Sequence, residues 1–194
     1  MSNCKKLLIA VTGMPGSGKS LVSRFFRERG FTVLSMGDIV RREAERRGLE
    51  KTPKNLLMIA EDIRKKYGPQ GVALLMLEEL EKSKWPVVID GVRGMCELKV
   101  FSKIASCIHV IAVHASPRTR FQRLLARGRP GDPRSWEEFV ERDKTELGFG
   151  LGEVIALADT MIVNEGSVDD LLRTLESRLE EILSCSAGSG LKYL

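Results

Sequence analysis

Three α/β/α layers around a five-stranded parallel sheet are the fold this sequence predicts, on three observations. Short apolar runs alternate with longer amphipathic ones, so strands and helices alternate and pair in parallel through right-handed crossovers. The short runs are continuously apolar, the pattern of strands covered on both faces. Residues 13–20, Gly-Met-Pro-Gly-Ser-Gly-Lys-Ser, fit the phosphate-loop pattern GxxxxGK followed by Ser or Thr, between a strand and a helix.

The first strand is expected over 5–11 and runs straight into the glycine loop. The segment Leu21-Val-Ser-Arg-Phe-Phe26 has helical apolar spacing, giving a helix over 19–29. Further strands are expected at 31–35, 86–90, 107–114 and 160–163. Helices are expected at 38–48, 53–66, 70–83, 95–104, 117–127, 135–146 and 168–183. The last carries Leu171, Leu172, Leu175, Leu179, Ile182 and Leu183 on one stripe, with Ser167 as its N-cap. Met58, Met76 and Trp85 read as core. Residues 38–69 form a helical insert, and 117–146 form a short lid region. Pro and Gly at 128–134 preclude a continuous helix there and make a hinge-like loop. The tail from Ser184 to Leu194, rich in small residues, is expected to fray.

At 194 residues the chain suits one domain, 1–194, and can bury about 70% of its unfolded surface. Its 43% hydrophobic and 29% charged residues are ordinary for a soluble protein. A net charge of +5 points to anionic partners, which nucleotides satisfy without nucleic acid. With 6% aromatics and no RNA-binding motif, nucleic acid is not expected as a partner. The four cysteines, Cys4, Cys96, Cys107 and Cys185, lack CxxC spacing and read as reduced thiols of a cytoplasmic protein. The apolar start is too short for a signal peptide, and no run approaches the roughly 18 residues of a membrane span. Three Asn and two Gln against abundant Arg, Lys and Glu give the bias of a heat-tolerant protein. Monomer and small homo-oligomer both stay open.

The loop itself specifies a chemistry. Its glycines let backbone N–H groups turn inward around phosphate oxygens, and the following helix N-terminus adds its positive dipole end. Gly13, Met14, Pro15, Gly16, Ser17, Gly18, Lys19, Ser20 and Leu21 are therefore the expected ATP-binding residues. Lys19 is expected to reach the β- and γ-phosphates and the Ser20 hydroxyl to ligate Mg²⁺. In an open parallel sheet ligands sit beyond the carboxyl ends of the strands. There Asp90, after four apolar residues, is the expected second contributor to the Mg²⁺ site. Asp38, after the second strand, is either the N-cap of the next helix or a second functional carboxylate.

Taken together, the phosphate loop, Ser35-Met-Gly-Asp-Ile-Val-Arg41 and Asp90-Gly-Val-Arg93 resemble adenylate kinase and its nucleoside monophosphate kinase relatives over about residues 5–183. More narrowly, the chain resembles an archaeal family of adenylate-kinase-related proteins. The resemblance implies a P-loop NTPase fold in which 38–69 binds the acceptor, and Arg41 and Arg93 grip its phosphate. Guanidinium groups suit that task because two parallel N–H donors match two phosphate oxygens. Seven arginines fall between 118 and 142: Arg118, Arg120, Arg123, Arg127, Arg129, Arg134 and Arg142. The resemblance implies that Arg123 stacks on the donor adenine, Arg127 meets phosphate, and Arg142 returns from the lid. An Arg-rich solvated helix paired with Glu137, Glu138 and Glu141 is the other reading. The segment Ala158–Ser167 resembles the last strand and loop of dephospho-coenzyme A kinases, with Asn164 and Gly166 bordering the donor base.

The pattern departs from adenylate kinases at three places. Met36 replaces a Thr, the lid lacks a zinc frame, and Glu97 stands where a Gln reads the adenine edge. An ionised glutamate only accepts hydrogen bonds, so Glu97 would favour an amino-bearing edge. The expected activity is transfer of the γ-phosphoryl of Mg-ATP to a small phosphorylated acceptor, foremost a nucleoside monophosphate, with Lys19, Asp38, Asp90, Arg93, Arg127 and Arg142 carrying the chemistry. A hydroxyl acceptor, with Asp38 as base, and a non-kinase ATP-dependent switch remain as alternatives.

Overall fold

β-Strands β1 (Leu7–Thr12), β2 (Thr32–Ser35), β3 (Val87–Asp90), β4 (Cys107–His114) and β5 (Thr160–Val163) form one sheet in a computed structural model describing residues 6–184. Their order is β2-β3-β1-β4-β5, and every adjacent pair is parallel. This is the α/β P-loop NTPase-like sheet the sequence predicts, with the loop-bearing strand in the middle.

Side-chain alternation along the strands builds two cores. Leu8, Ala10, Val87, Ile89, Ile108 and Val110 face α2 (Met36–Arg46), α3 (Pro53–Tyr67), α4 (Gly71–Glu81) and α5 (Met95–Phe101). Leu7, Ile9, Val11, Val88, Ile111 and Val113 face α1 (Lys19–Glu28) and α9 (Val168–Leu183). Of the stripe on that last helix, Leu171, Leu175 and Ile182 are fully buried. Met76 and Trp85 join the first core, whereas Met58 is 42% exposed, correcting its assignment as core.

Caps explain where the helices start. Thr52, Ser116, Ser135 and Ser167 each accept a backbone N–H three residues on. They open α3, α6 (Pro117–Arg127), α7 (Trp136–Gly148) and α9, and Pro53 and Pro117 occupy first-turn positions that tolerate proline. The helix after β2 starts at Met36 with Ser35 at its N-cap, so Asp38 lies inside the first turn and does not cap it. The short helix α8 (Leu151–Ala156) was not expected. Six residues preceded by Gly148 and Gly150 carry too little periodicity to read, and buried Leu151 and Val154 hold the helix in place.

Residues 38–69, the expected insert, hold most of α2 and all of α3, and 117–146, the expected lid region, hold α6 and most of α7 joined by non-helical residues 128–135. Phe121, Trp136 and Phe139 clamp the two lid helices together, with ring centroids 5.0–5.5 Å apart. Gly131, at the tip of the joining loop, lies against Pro53 at the start of α3. A Cβ at Gly131 would stand 2.1 Å from the proline ring, and its φ of +85° also excludes most side chains. Cys107 is disulfide-bonded, which corrects the expectation of four reduced thiols, since sequence spacing says nothing about cysteines that folding brings together. Cys96 is free. The predicted frayed tail beyond Ser184 lies outside the described residues. Among the described residues no helix is long and apolar enough to cross a membrane.

Candidate active site

Strand register brings the chemistry to one edge. Val11 pairs with Asp90, and Asp90 pairs with Ser35, so β1, β3 and β2 end together. Gly91 N and Val92 N donate to the Val11 carbonyl at 2.9 and 3.3 Å, and Thr12 Oγ1 donates to the Val92 carbonyl at 2.8 Å. The two loops are thus tied into one crevice at the point where the chain leaves β1 in one direction and β3 in the other.

The phosphate loop spans Gly13 to Gly18, and α1 begins at Lys19. Gly16 has φ +82°, and a Cβ there would stand 2.8 Å from the Arg120 carbonyl, so the loop needs glycine at this position. Lys19 Nζ donates to the Gly13 carbonyl at 2.6 Å and to the Met14 carbonyl at 3.1 Å. Burial pushes its pKa down to about 8, opposed by the nearby charge of Asp90. The Ser17 hydroxyl is buried without a hydrogen-bond partner. An orphan of that kind costs about 1–3 kcal/mol, and a phosphate-bearing ligand entering the loop could relieve it. Ser20 is exposed beside the loop, and Leu21 packs on the α1–α9 core. Loop, lysine and orphan hydroxyl fit a polyphosphate.

Around Lys19 stand Asp90, Arg93, Glu146 and Arg142, all close enough to bias its proton. Burial raises the Asp90 carboxyl while the charge of Lys19 and a hydrogen bond from Ser23 hold it down. Arg93 donates from Nε to Glu146 at 2.7 Å and from a terminal nitrogen to the Gly91 carbonyl at 3.0 Å. Asp38 and Arg41 pair with each other on α2, and both are half-exposed at the mouth. Among the described residues no three His, Cys, Asp or Glu stand together as a metal cage. A magnesium ion that keeps its waters and substrate phosphates needs only Ser20 and Asp90 from the chain.

Glu97 is placed differently from its expected use. It is 1% exposed and accepts from the Arg93 N–H at 2.7 Å and the Gly94 N–H at 3.3 Å. Its other oxygen lies 3.7 Å from Arg64, which stacks over Phe149 at 4.2 Å. The carboxylate serves the turn that carries Arg93, and burial pushes its pKa up.

On the other flank, Arg123 donates to the Asn164 carbonyl at 2.9 Å and the Gly166 carbonyl at 3.4 Å. Asn164 in turn donates from Nδ2 to the Ser17 carbonyl at 2.8 Å. These three residues, expected around the donor base, do meet, and they buttress the phosphate loop. Arg127 and Arg142 meet at Asp132: Arg127 Nε donates at 2.8 Å and Arg142 at 3.2 Å.

Hydrogen bonding from Arg127 holds the Asp132 carboxyl down at about 2. A carboxyl depressed in the folded state stabilises fully above its unfolded value near 4, and that support is lost as pH falls through about 2. The protection of residues 128–134 against hydrogen exchange, relative to the intrinsic rate at each pH, is therefore expected to fall between pH 4 and 2. Asp132→Asn is expected to exchange about tenfold faster at neutral pH and to lose that acid dependence. An unchanged exchange profile would remove the clasp from the account.

Four residues that line or brace the site escape sequence reading. Arg120, among the seven arginines but otherwise unmarked, is 3% exposed and donates to both oxygens of Asp143 at 2.8 and 2.6 Å, to the Ala115 carbonyl at 3.1 Å and to the Pro15 carbonyl at 3.2 Å. Asp143, Glu146 and Arg64 complete the set. Of the expected partners, Glu138 accepts from the Arg134 backbone N–H at 2.7 Å; the guanidinium of Arg120 is held by Asp143, and those of Arg127 and Arg142 by Asp132.

Residues 12–140 match the AAA domain family. A UPF0200 protein of Hyperthermus butylicus is 50% identical over 191 residues, covering 98% of this chain and all of that protein. One from Staphylothermus marinus is 46% identical over 183 residues, covering 94% and 96% of the two chains. Among solved structures, TT1252 from Thermus thermophilus superposes with a TM-score of 0.63 at 24% identity, covering 91% of this chain and 97% of that one. Shikimate kinase from Bacteroides thetaiotaomicron gives a TM-score of 0.55 at 16% identity, covering 90% and 98%.

Proposed function

The chain belongs to the AAA domain family, alongside the archaeal UPF0200 proteins, and from that premise we propose that it is a Mg-ATP-dependent phosphotransferase acting on a small phosphorylated acceptor, foremost a nucleoside monophosphate. The single observation that carries this reading is the gathering of Lys19, Asp90, Arg93 and Arg142 at one edge of the sheet, beside a loop with an orphaned inward hydroxyl.

In this reading Lys19 leaves the Gly13 and Met14 carbonyls and follows charge onto the transferring phosphoryl. Arg93 and Arg41 hold the acceptor phosphate, which is already an anionic nucleophile and needs no base. Arg127 and Arg142 approach the donor phosphates from the lid, and Arg123 stays with the Asn164–Gly166 loop beside the base. Mg²⁺ held by Ser20 and Asp90 would supply neutralisation of phosphate charge. Positioning and charge compensation suffice for the transfer, and lid closure excludes water as a competing acceptor.

A hydroxyl acceptor is the second reading, favoured by one feature: Asp38 stands half-exposed at the crevice mouth, free of capping duty. A screen with radiolabelled ATP over nucleotides, dephospho-coenzyme A and sugar phosphates, repeated with Asp38→Asn, separates the two. Label is expected on a nucleoside monophosphate, with Asp38→Asn losing less than about tenfold, since no proton has to be abstracted. Label on an alcohol together with a loss of about a hundredfold or more would install the second reading. Label appearing only as inorganic phosphate would point to a switch ATPase.

A further inference from the structure

Glu146 has no role in the scheme above, yet it sits inside the site. It projects from α7 one turn beyond Arg142, shares a small cavity with Gly13, Lys19, Gly91 and Arg93, and is only 16% exposed. Its carboxylate accepts from Arg93 Nε at 2.7 Å, while Gly91 takes another Arg93 donor. The guanidinium assigned to the acceptor's phosphate is therefore already engaged. Burial opposes the ionised form of Glu146, but the charge of Arg93 outweighs it and holds the carboxyl below its usual range. Carboxylate and phosphate offer a guanidinium the same paired anionic oxygens. Two such anions cannot crowd one guanidinium in a sheltered pocket without repelling each other.

We propose that Glu146 is a specificity-determining residue whose carboxylate stands in for the acceptor's anionic group on Arg93, so that only an anionic acceptor displaces it. This rests on the phosphotransferase reading and deepens it by naming the residue that makes the site select for the acceptor's charge. A neutral alcohol brings no charge to replace that of Glu146 and leaves the pair closed. Displacement also releases α7 from the loop after β3, and α7 carries Arg142 four residues earlier. Arrival of the acceptor is thereby felt at the lid.

Inorganic phosphate is the probe, titrated by thermal shift into protein saturated with Mg²⁺ and a non-hydrolysable ATP analogue. Glu146→Gln keeps size and an acceptor oxygen but removes the charge. It is expected to bind phosphate about tenfold to a hundredfold more tightly than the wild type, and the gain is expected to vanish when Arg93→Ala is added. Glu146→Asp, with the carboxylate drawn back by one methylene, is expected to fall between the two and serves if the Gln variant does not fold. A Glu146 that only braces the fold would lower the melting temperature and leave phosphate affinity at the wild-type level, which overturns the proposal. If the wild type fails to bind the ATP analogue, the phosphotransferase reading is what fails. The same titration without analogue then still decides whether Glu146 competes for Arg93.

Discussion

Lys19→Ala is expected to reduce Mg-ATP turnover by about a thousandfold or more and to abolish measurable nucleotide affinity. The lysine is folded back on the loop carbonyls of Gly13 and Met14, and the donors it spends there are those a phosphate entering the loop would take over. Burial lowers its pKa to about 8. The protonated form that attracts phosphate is then lost above that value, so ATP affinity of the wild type is expected to decline as pH rises past about 8. The Ala variant should lack that dependence. Stability runs the other way. A base whose folded-state value is depressed makes burial of its charge a cost, complete below pH 8 and fading as pH climbs towards the unfolded value of 10.5. Lys19→Ala is accordingly expected to melt no lower than the wild type, which separates loss of binding from loss of fold. Calorimetry with Mg-ATP is the measurement, and retained affinity in the Ala variant would contradict the assignment of the loop.

Arg120→Ala is expected to destabilise the protein by about 3–5 kcal/mol, a fall in melting temperature of roughly 10 °C. Arg120 is the strut of the site. Its backbone meets the phosphate loop at Gly16, its side chain bonds the Pro15 carbonyl, and its fork holds both oxygens of Asp143 on α7. The guanidinium also lies over Phe139 at 4.8 Å, joining it to the aromatic clamp of the lid. Truncation would leave a sheltered carboxylate and a loop carbonyl unpaired at once, and the unpaired charge dominates the loss. Arg120→Lys cannot reproduce the fork and is expected to recover less than half of it. The double variant Arg120→Met with Asp143→Leu removes both charges and is expected to melt near the wild type while binding ATP weakly, because the Pro15 carbonyl stays unsupported. A melting temperature unchanged in Arg120→Ala would show that the strut carries nothing.

Much of this was legible in the residues. Continuous apolar runs marked all five strands to within two residues at each described end, because the central strands are buried on both faces and carry few polar positions, while edge strand β5 keeps an apolar run although Met161 and Val163 are exposed. The glycine loop and Asp90 could be placed in the crevice because backbone geometry and strand ends constrain residue type locally, whereas Arg93 was singled out by the family resemblance. Ion pairing could not. Arg93 and Glu146 are 53 residues apart, Arg120 and Asp143 are 23 apart, and a charged helix face looks the same whether it meets water or a partner. Glu97 misled for a related reason. Its spacing from Asp90 matched a family position, but the turn at Arg93 and Gly94 had two N–H groups to satisfy, and the carboxylate serves them instead. The capping role, one of the two open to Asp38, falls away because α2 starts two residues earlier than the apolar pattern predicts.

Gly131 rests against Pro53, so the two arms that embrace the crevice lean on one another at their tips. The embrace is held by shape as well as by charge, since the contact joins a glycine to a proline ring with no ionic partner between them. Salt that weakens the arginine clasps would leave this touching point intact. Opening the crevice to admit or release a ligand would therefore part a small, solvent-exposed contact whose hold does not depend on the ionic strength of the surroundings.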